Sequence, residues 1–415
     1  MVSNRLTRFI LLALVAGAAI GWLVNTQFPN SSESFATNAA LLPMIFLRLI
    51  KMIIAPLVFS TLAVGIGRMG DVATVGRVGG KALAWFFFAS LMSLTLGLAL
   101  VNFLQPGQVL QLPLPEVTAS SGIQAGALTL TGFIEHTVPS SVVDAMARNE
   151  ILQIVIFALF FGTAMAAIGE RSRTVVDVLD ALAHIMLKVT SYVMLFAPLA
   201  VFGALASTVA SRGLGILGVY GLFVGEFYLG LVLLWLLLLG IVSLVIGRGV
   251  FRLVRRIREP LLLAFSTASS EAAYPKTLEE LERFGCSNRV ASFVLPMGYS
   301  FNLDGSMMYC TFAVMFIAQV YDIQLSAGQQ ILMLAILMLT SKGIAGVPRA
   351  SLVVIAATLA QFNIPEAGLL LLLGIDHFLD MGRSATNVIG NSVATVLVSH
   401  WERELRGDQP AIPQP

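Results

Sequence analysis

Asp376, Asp380, Arg383, Asn387 and Asn391 follow one another at steps of four, three, four and four residues, inside a membrane-length, mostly apolar stretch from Gly374 to His400. At ~100° per residue, these five side chains fall within an arc of roughly 80° on one helix face. A charge at bilayer depth costs roughly 2.5–3.5 kcal/mol even on the lenient insertion scale. Two carboxylates, a guanidinium and two amides on one stripe are therefore expected to line a cavity that binds something polar or ionic. The structural alternative is an internal Asp380–Arg383 ion pair at i, i+3.

The elements that must hold this stripe are membrane spans. The chain is 57% hydrophobic and 12% charged, with mean hydropathy +0.87, against about 25% charged residues in soluble domains. This composition excludes a soluble domain. The net charge of +2 is nearly neutral, and its distribution is more informative. Arg5 and Arg8 precede the first apolar run, Arg68, Arg77 and Lys81 follow the second, and Arg171 and Arg173 follow the fourth. Arg248, Arg252, Arg255, Arg256 and Arg258 follow the sixth. The polar stretch from Gln105 to Asn149 holds a single basic residue, Arg148. Positive-inside counting puts both termini in the cytoplasm and that stretch outside. The apolar part of Met1 to Asn25 is longer than the core of a cleavable signal, so it reads as a retained first helix. Cys286 and Cys310 are the only cysteines. They imply no disulfide framework and lack the neighbours of a transition-metal site.

Six apolar runs are each long enough to span: about 8–24, 41–66, 82–103, 151–168, 181–206 and 219–246. After Pro260 the texture changes to short hydrophobic stretches broken by AFSTASSEAAYP, PMGYSFNLDGS and SKGIAGVPRAS. Such interruptions predict re-entrant hairpins and an unwound helix, tolerated in a membrane only where protein or a wet cavity surrounds them. The first hairpin is expected at about 259–285 with its tip at Ser269, Ser270 and Glu271. The second is expected at about 325–361 with its tip at Ser341–Ser351.

The ordered set SSE, GYSFNLDGS, TSKGIAGVP and GIDHFLDMGRSATNVIGN resembles the glutamate/aspartate transporters, or dicarboxylate/amino acid:cation symporters, closest to their bacterial proton-linked branch. The motifs cover the last third of the chain, and the six preceding spans agree in number. The resemblance implies an all-α polytopic membrane protein with eight transmembrane helices, two re-entrant helical hairpins and elevator-type transport. It divides the chain into scaffold helices at 1–75, a transport-domain helix at 76–106, and further scaffold with an extracellular loop at 107–210. The main transport domain then covers 211–402, and a cytoplasmic tail 403–415. It also implies a homotrimer in the bacterial inner membrane.

The resemblance assigns the substrate ammonium to Asp380 and its side-chain carboxylate to Arg383, with Ser384 and Asn387 on the same face. The chemistry agrees: arginine presents a fork matched to a carboxylate, and an ionised aspartate only accepts hydrogen bonds. Ser269, Ser270, Ser306 and Val347 complete the implied substrate set. Ser269 reads equally well as a turn cap. Dicarboxylate-specific relatives lack an acid at the Asp380 position, so an acidic amino acid is expected, L-glutamate or L-aspartate, with a C4-dicarboxylate as the alternative. Arg349 departs from the family, where a small residue is usual; it is a solvent-facing tip residue or a second cation at the site.

For coupling, the resemblance points to Asn302, Asp304, Gly298, Ser90, Ser341 and Asn391, since a hard cation wants oxygen ligands. Asn391 stands where sodium-coupled relatives carry aspartate, and Phe86 and Ala89 where they carry tyrosine and threonine. Those losses favour protons, with sodium left open as a second coupling ion and no other cofactor. Glu271, Asp304 and Asp376 are the candidate proton sites, since a carboxyl group in a partly dry site carries a proton readily. His377 neighbours Asp376 but points about 100° away, which favours packing over shuttling. Arg48 and Lys51 are expected to snorkel or pair.

Other classes fit less well. Tyr321-Asp322 and Gly374-Ile375-Asp376 loosely resemble an intramembrane aspartyl protease, but Asp322 falls at a span end. No phosphate-binding GxxxxGK[ST] is present, against an ATP-driven pump. A substrate-shaped constellation argues against a mere pore, although some members of the family also leak anions. The expected partners are a small acidic amino acid and membrane lipid, with no nucleic acid.

Overall fold

The computed structural model of the chain describes residues 2–67, 72–109, 134–135, 137–213, 215–340 and 350–406. Among these, the structure is helical, with one isolated antiparallel bridge between Cys286 and Leu405. The helices are α1 (Val2–Gln27), α2 (Pro29–Ala39), α3 (Leu41–Gly67), α4 (Val72–Leu104), α5 (Ile151–Ile168), α6 (Arg173–Val193) and α7 (Ala197–Arg212). They continue with α8 (Gly215–Ile246), α9 (Gly249–Thr267), α10 (Tyr274–Phe284), α11 (Asn288–Phe301), α12 (Asp304–Val320), α13 (Ala327–Thr340), α14 (Ala350–Gln361) and α15 (Asp376–Trp401).

The described residues contain six helical stretches long and apolar enough to cross a membrane, but they are not the six apolar runs read from the sequence. Residues 151–168 and 181–206 join in one stretch, Ile151–Arg212. Within it the chain breaks at Gly169–Ser172 and again at Met194–Phe196, where Pro198 opens α7. The expected single fifth span is thus the end of α6 followed by α7. The sixth place is taken by Asn288–Val320, whose polar motif hides its apolar character. Helix α15 falls outside this set because its charged stripe lowers its hydropathy. Pro260 marks the change in texture but does not end a helix; α9 begins at Gly249 and runs through it.

Both expected hairpins have their arms. Helix α9 ends at Ala268 in the left-handed region, a 3₁₀ turn follows at Glu271–Ala273, and α10 runs back. Helices α13 and α14 pair as the arms of the second hairpin. Its tip, with Ser341, Val347 and Arg349, lies outside the described residues. Between the hairpins, Asn302 and Leu303 leave helical geometry (φ −127°, ψ 60° and φ −95°, ψ 63°), which separates α11 from α12.

Packing gathers the helices around two centres. Helix α1 lies along α7, and α5 and α6 lie along α3. Helix α15 is wrapped by α8, α9, α11 and α12, while α4 lies along α12. Polar anchors hold α15 in rotation. Tyr228 Oη donates to the Phe378 carbonyl at 2.6 Å, and Trp235 Nε1 donates to Thr386 Oγ1 at 2.7 Å, both from α8. At its far end, Lys81 and Arg77 of α4 reach Glu402 at 2.7 and 3.1 Å.

Helix α12 begins in direct contact with the backbone of α15. A Cβ on Gly305 would stand 2.5 Å from the Arg383 carbonyl oxygen and 2.8 Å from its Cα. Those are main-chain atoms of a packed helix and cannot rotate aside. Gly305→Ala is expected to destabilise the protein by about 1–3 kcal/mol, the usual range for overpacking, seen as a lower midpoint of thermal unfolding in detergent. An unchanged midpoint would show that the two helices are not held this closely.

Candidate functional site

The polar stripe of α15 turns inward. Arg383 is 1% exposed, one of the largest fully buried side chains among the described residues. Its Nη2 lies 3.0 Å from Asp380 Oδ1 and 3.3 Å from Asp376 Oδ1, and its Nε donates to the same Asp380 oxygen at 3.3 Å. The guanidinium carbon sits 4.1 Å from the centre of the Tyr309 ring, a cation–π distance. Tyr309 also donates its hydroxyl to Asp376 Oδ1 at 3.3 Å. The i, i+3 ion pair weighed from the sequence is therefore present, within a larger cluster. It does not exhaust the arginine. Nη1 is buried with no hydrogen-bond partner among the described residues.

An unmatched guanidinium donor at such depth is costly, because burial removes its water and nothing replaces it. An acceptor entering the site would repay that cost, and a carboxylate oxygen is the natural one. Asp380 differs from its neighbours in keeping its side chain 30% exposed, so it offers negative charge to an incoming group. Ser384 donates to Asp380 Oδ1 at 3.4 Å. Cation and anion thus stand side by side, one with a spare donor and the other with an accessible acceptor.

Asn387, one turn after Arg383 on α15, reaches the helix break. Its Oδ1 accepts from the Gly305 amide at 2.9 Å, and its Nδ2 donates to Ser306 Oγ at 3.4 Å. Contacts thus gather the sequence-expected substrate residues on α15 and α12 in two groups, Asp380 with Arg383 and Ser384, and Asn387 with Ser306.

The first hairpin tip is only partly explained. Ser269 Oγ accepts from the Ala272 amide at 3.3 Å, so the turn-capping reading of Ser269 is what the geometry contains. Ser270 leads into the 3₁₀ turn without a side-chain cap bond. Glu271 is affected by the charges of Lys51 on α3 and Glu150 just before α5.

The expected ion-coupling residues form a second, deeper layer. Asn302 Nδ2 donates to Asn391 Oδ1 at 3.1 Å, and Gly298 closes against Asn391, where a Cβ would stand 2.3 Å from Oδ1. Asp304 is fully buried, and Ser93 Oγ of α4 donates to its Oδ1 at 3.4 Å. Ser90 is buried on the same helix, one turn before Ser93. Sequence reasoning missed Ser93, although its i+3 spacing from Ser90 puts both on one face. It also missed Tyr309 and the α8 anchors Tyr228 and Trp235. Asp376, expected as a proton site, pairs with Arg383 and accepts from Tyr309.

Arg48 and Lys51 do not point simply to lipid. With His377, Thr267, Ser207 and Thr208 they line a cavity of about 430 Å³ between α3, α7 and the start of α15. His377 therefore lines this cavity beside Arg48 and Lys51. Among the described residues, no group of His, Cys, Asp and Glu is placed to hold a metal ion. Cys286 and Cys310 are both buried free thiols.

Comparisons with known proteins agree with this architecture. Residues 6–401 match the model of the sodium:dicarboxylate symporter family. The chain is 41% identical over 404 residues to a C4-dicarboxylate transport protein of Geobacter sp. (strain M21), covering 95% of this chain and 90% of that one. It is 42% identical over 401 residues to a protein of the same description from Burkholderia orbicola (strain MC0-3), covering 95% and 91%. A third such protein, from Citrifermentans bemidjiense, is 41% identical over 404 residues. With a buried arginine–aspartate cluster, a broken helix and two hairpin pairs in an all-α polytopic membrane protein, the chain belongs to the sodium:dicarboxylate symporter family.

Proposed function

We propose that this chain imports an acidic amino acid, L-aspartate or L-glutamate, by symport with protons. The observation that carries the reading is the pairing of two unequal charges on α15. Arg383 is buried with one unmatched donor, and Asp380, 3.0 Å away, stays 30% exposed. An incoming side-chain carboxylate satisfies Nη1. The substrate ammonium then takes the Asp380 acceptor. The main-chain carboxylate goes to the hydroxyls and amides at Ser269, Ser270 and Ser306, with Val347 as an apolar wall. L-Aspartate is itself a C4 dicarboxylate bearing an amino group, which brings this reading close to the relatives' names.

A C4-dicarboxylate without that amino group is the second reading, and the description of the relatives as C4-dicarboxylate transport proteins favours it. Against it stands the charge count. A second dicarboxylate end would face the Asp380 carboxylate across a partly dry site, where like charges repel strongly.

For the coupling ion, Asn391 offers a neutral amide that already accepts from Asn302, and Asp304 receives Ser93. We infer that this layer is poor in charge for sodium, and that a carboxyl group carries the proton. Candidates are Glu271, Asp304 and Asp376; sodium is the second ion to test at Asn302, Asp304, Gly298, Ser90, Ser341 and Asn391. We further propose the family assembly: a homotrimer in the bacterial inner membrane, both termini cytoplasmic, scaffold helices at 1–75 and 107–210, and a mobile domain from 76–106 and 211–402.

Competition for labelled uptake in proteoliposomes separates the two substrates. L-Aspartate or L-glutamate is expected to compete better than succinate in the wild type. Asp380→Ser is expected to weaken L-aspartate by at least roughly thirty-fold, about 2 kcal/mol for losing one partner of a buried charge contact, while sparing succinate. Succinate winning in the wild type would hand the site to the second reading.

Separate imposed gradients test the ion. Uptake is expected to follow an inward proton gradient with no sodium present, and Glu271→Gln is expected to lose that dependence while retaining counterflow. If the variant keeps the full response to pH gradient, Glu271 is not the carrier. A wild type driven by sodium alone would refute proton coupling.

A further inference from the structure

A surface outside the substrate site has the composition of a lipid contact. Arg248, Arg252, Arg255, Arg256 and Arg258 cluster at the start of α9, and neither the Arg383 cluster nor the Asp304 layer uses them. Gly249, Leu253 and Ile257 are buried and fix the inward side. Arg256 turns inward to Glu280 at 3.7 Å, and Arg252 lies 5.9 Å over the Phe284 ring. Arg248, Phe251, Arg252, Val254, Arg255 and Arg258 are exposed. At ~100° per residue, they share a face roughly 160° wide.

This face is not merely solvated. Phe251 is 74% exposed and Val254 42%, both set among the arginines. Leu244, at the end of the preceding span, is 87% exposed. Apolar and cationic side chains on one outward face are the pattern of a helix lying at a membrane surface. The chain also places it there. Helix α8 is apolar to Ile246, and only Gly247, in the left-handed region at φ 55°, and Arg248 precede α9. The arginines therefore begin where the span leaves the hydrocarbon.

We propose that this face binds anionic phospholipid, with Arg248, Arg255 and Arg258 on the headgroup phosphates and Phe251, Val254 and Leu244 among the acyl chains. Arginine suits phosphate through its paired donors. Because α9 continues without a break into the first hairpin, the lipid contact is rigidly joined to that hairpin.

The test uses the full chain in phosphatidylcholine nanodiscs with trace spin-labelled phosphatidylglycerol or phosphatidylcholine, and compares the immobilised fractions. Wild type is expected to prefer the anionic lipid several-fold, and the preference should fall as salt is raised. Replacing Arg248, Arg255 and Arg258 together with Gln is expected to bring the two lipids near parity, whereas the triple Lys replacement keeps most of the preference. The midpoint of thermal unfolding in detergent should be unchanged in both and serves as the folding control. Equal retention of both lipids by wild type, a salt-independent preference, or an undiminished preference in the Gln variant would each overturn the proposal. So would displacement of the label by soluble glycerol phosphate, which would make the face a free-phosphate site. None of these readouts involves transport, so they stand or fall apart from the substrate assignment.

Discussion

The burial of one guanidinium organises this protein. Arg383 sits 1% exposed inside a bundle of membrane-spanning helices, and a cation there is tolerated only when its charge and its donors are met. Asp376, Asp380 and the Tyr309 ring meet most of that demand from two helices. The demand explains the packing around it. Helix α12 must bring Tyr309 and Gly305 onto α15, and α8 must hold α15 in rotation through Tyr228 and Trp235. A turn of α15 by one residue would aim the guanidinium at apolar side chains. What remains unmet among the described residues is one donor, Nη1.

The break at Asn302 and Leu303 is the second constraint. An intact helix would spend its carbonyl and amide groups internally. Interrupting it frees the Gly305 amide to reach Asn387 and lets Asn302 turn its side chain onto Asn391. The cost of irregular backbone is contained because Asn302 and Asp304 are fully buried in protein, the condition under which such backbone is tolerated at membrane depth. The substrate layer and the deeper polar layer thus share one structural device, so occupancy of one is positioned to affect the other.

Much of the site was legible because helical periodicity is a strong local signal. The spacing of Asp376, Asp380, Arg383, Asn387 and Asn391 placed them on one face, and that face is inward. Both hairpins were legible from small polar residues interrupting apolar runs. The misreadings also have physical causes. Hydropathy joined residues 181–206 because Pro198 is compatible with the first turn of a helix and leaves the apolar average untouched. Pro260 lies within α9, whose inward side is anchored by Leu253, Ile257 and Leu263 in the core. Ser93 was overlooked because a serine inside an apolar helix carries no local mark of its distant partner, Asp304.

The division between the two kinds of information follows range. The sequence by itself determined that this is a polytopic helical membrane chain with a charged stripe near its end, since composition, spacing and interrupted runs act through neighbouring residues. Only the tertiary structure decided that Arg383 is shared between Asp376 and Asp380, that Tyr309 lies beneath it, and that Ser93 reaches Asp304. Each of those depends on the rotation and depth of one helix against another. Packing of whole faces sets that geometry, and no single segment encodes it.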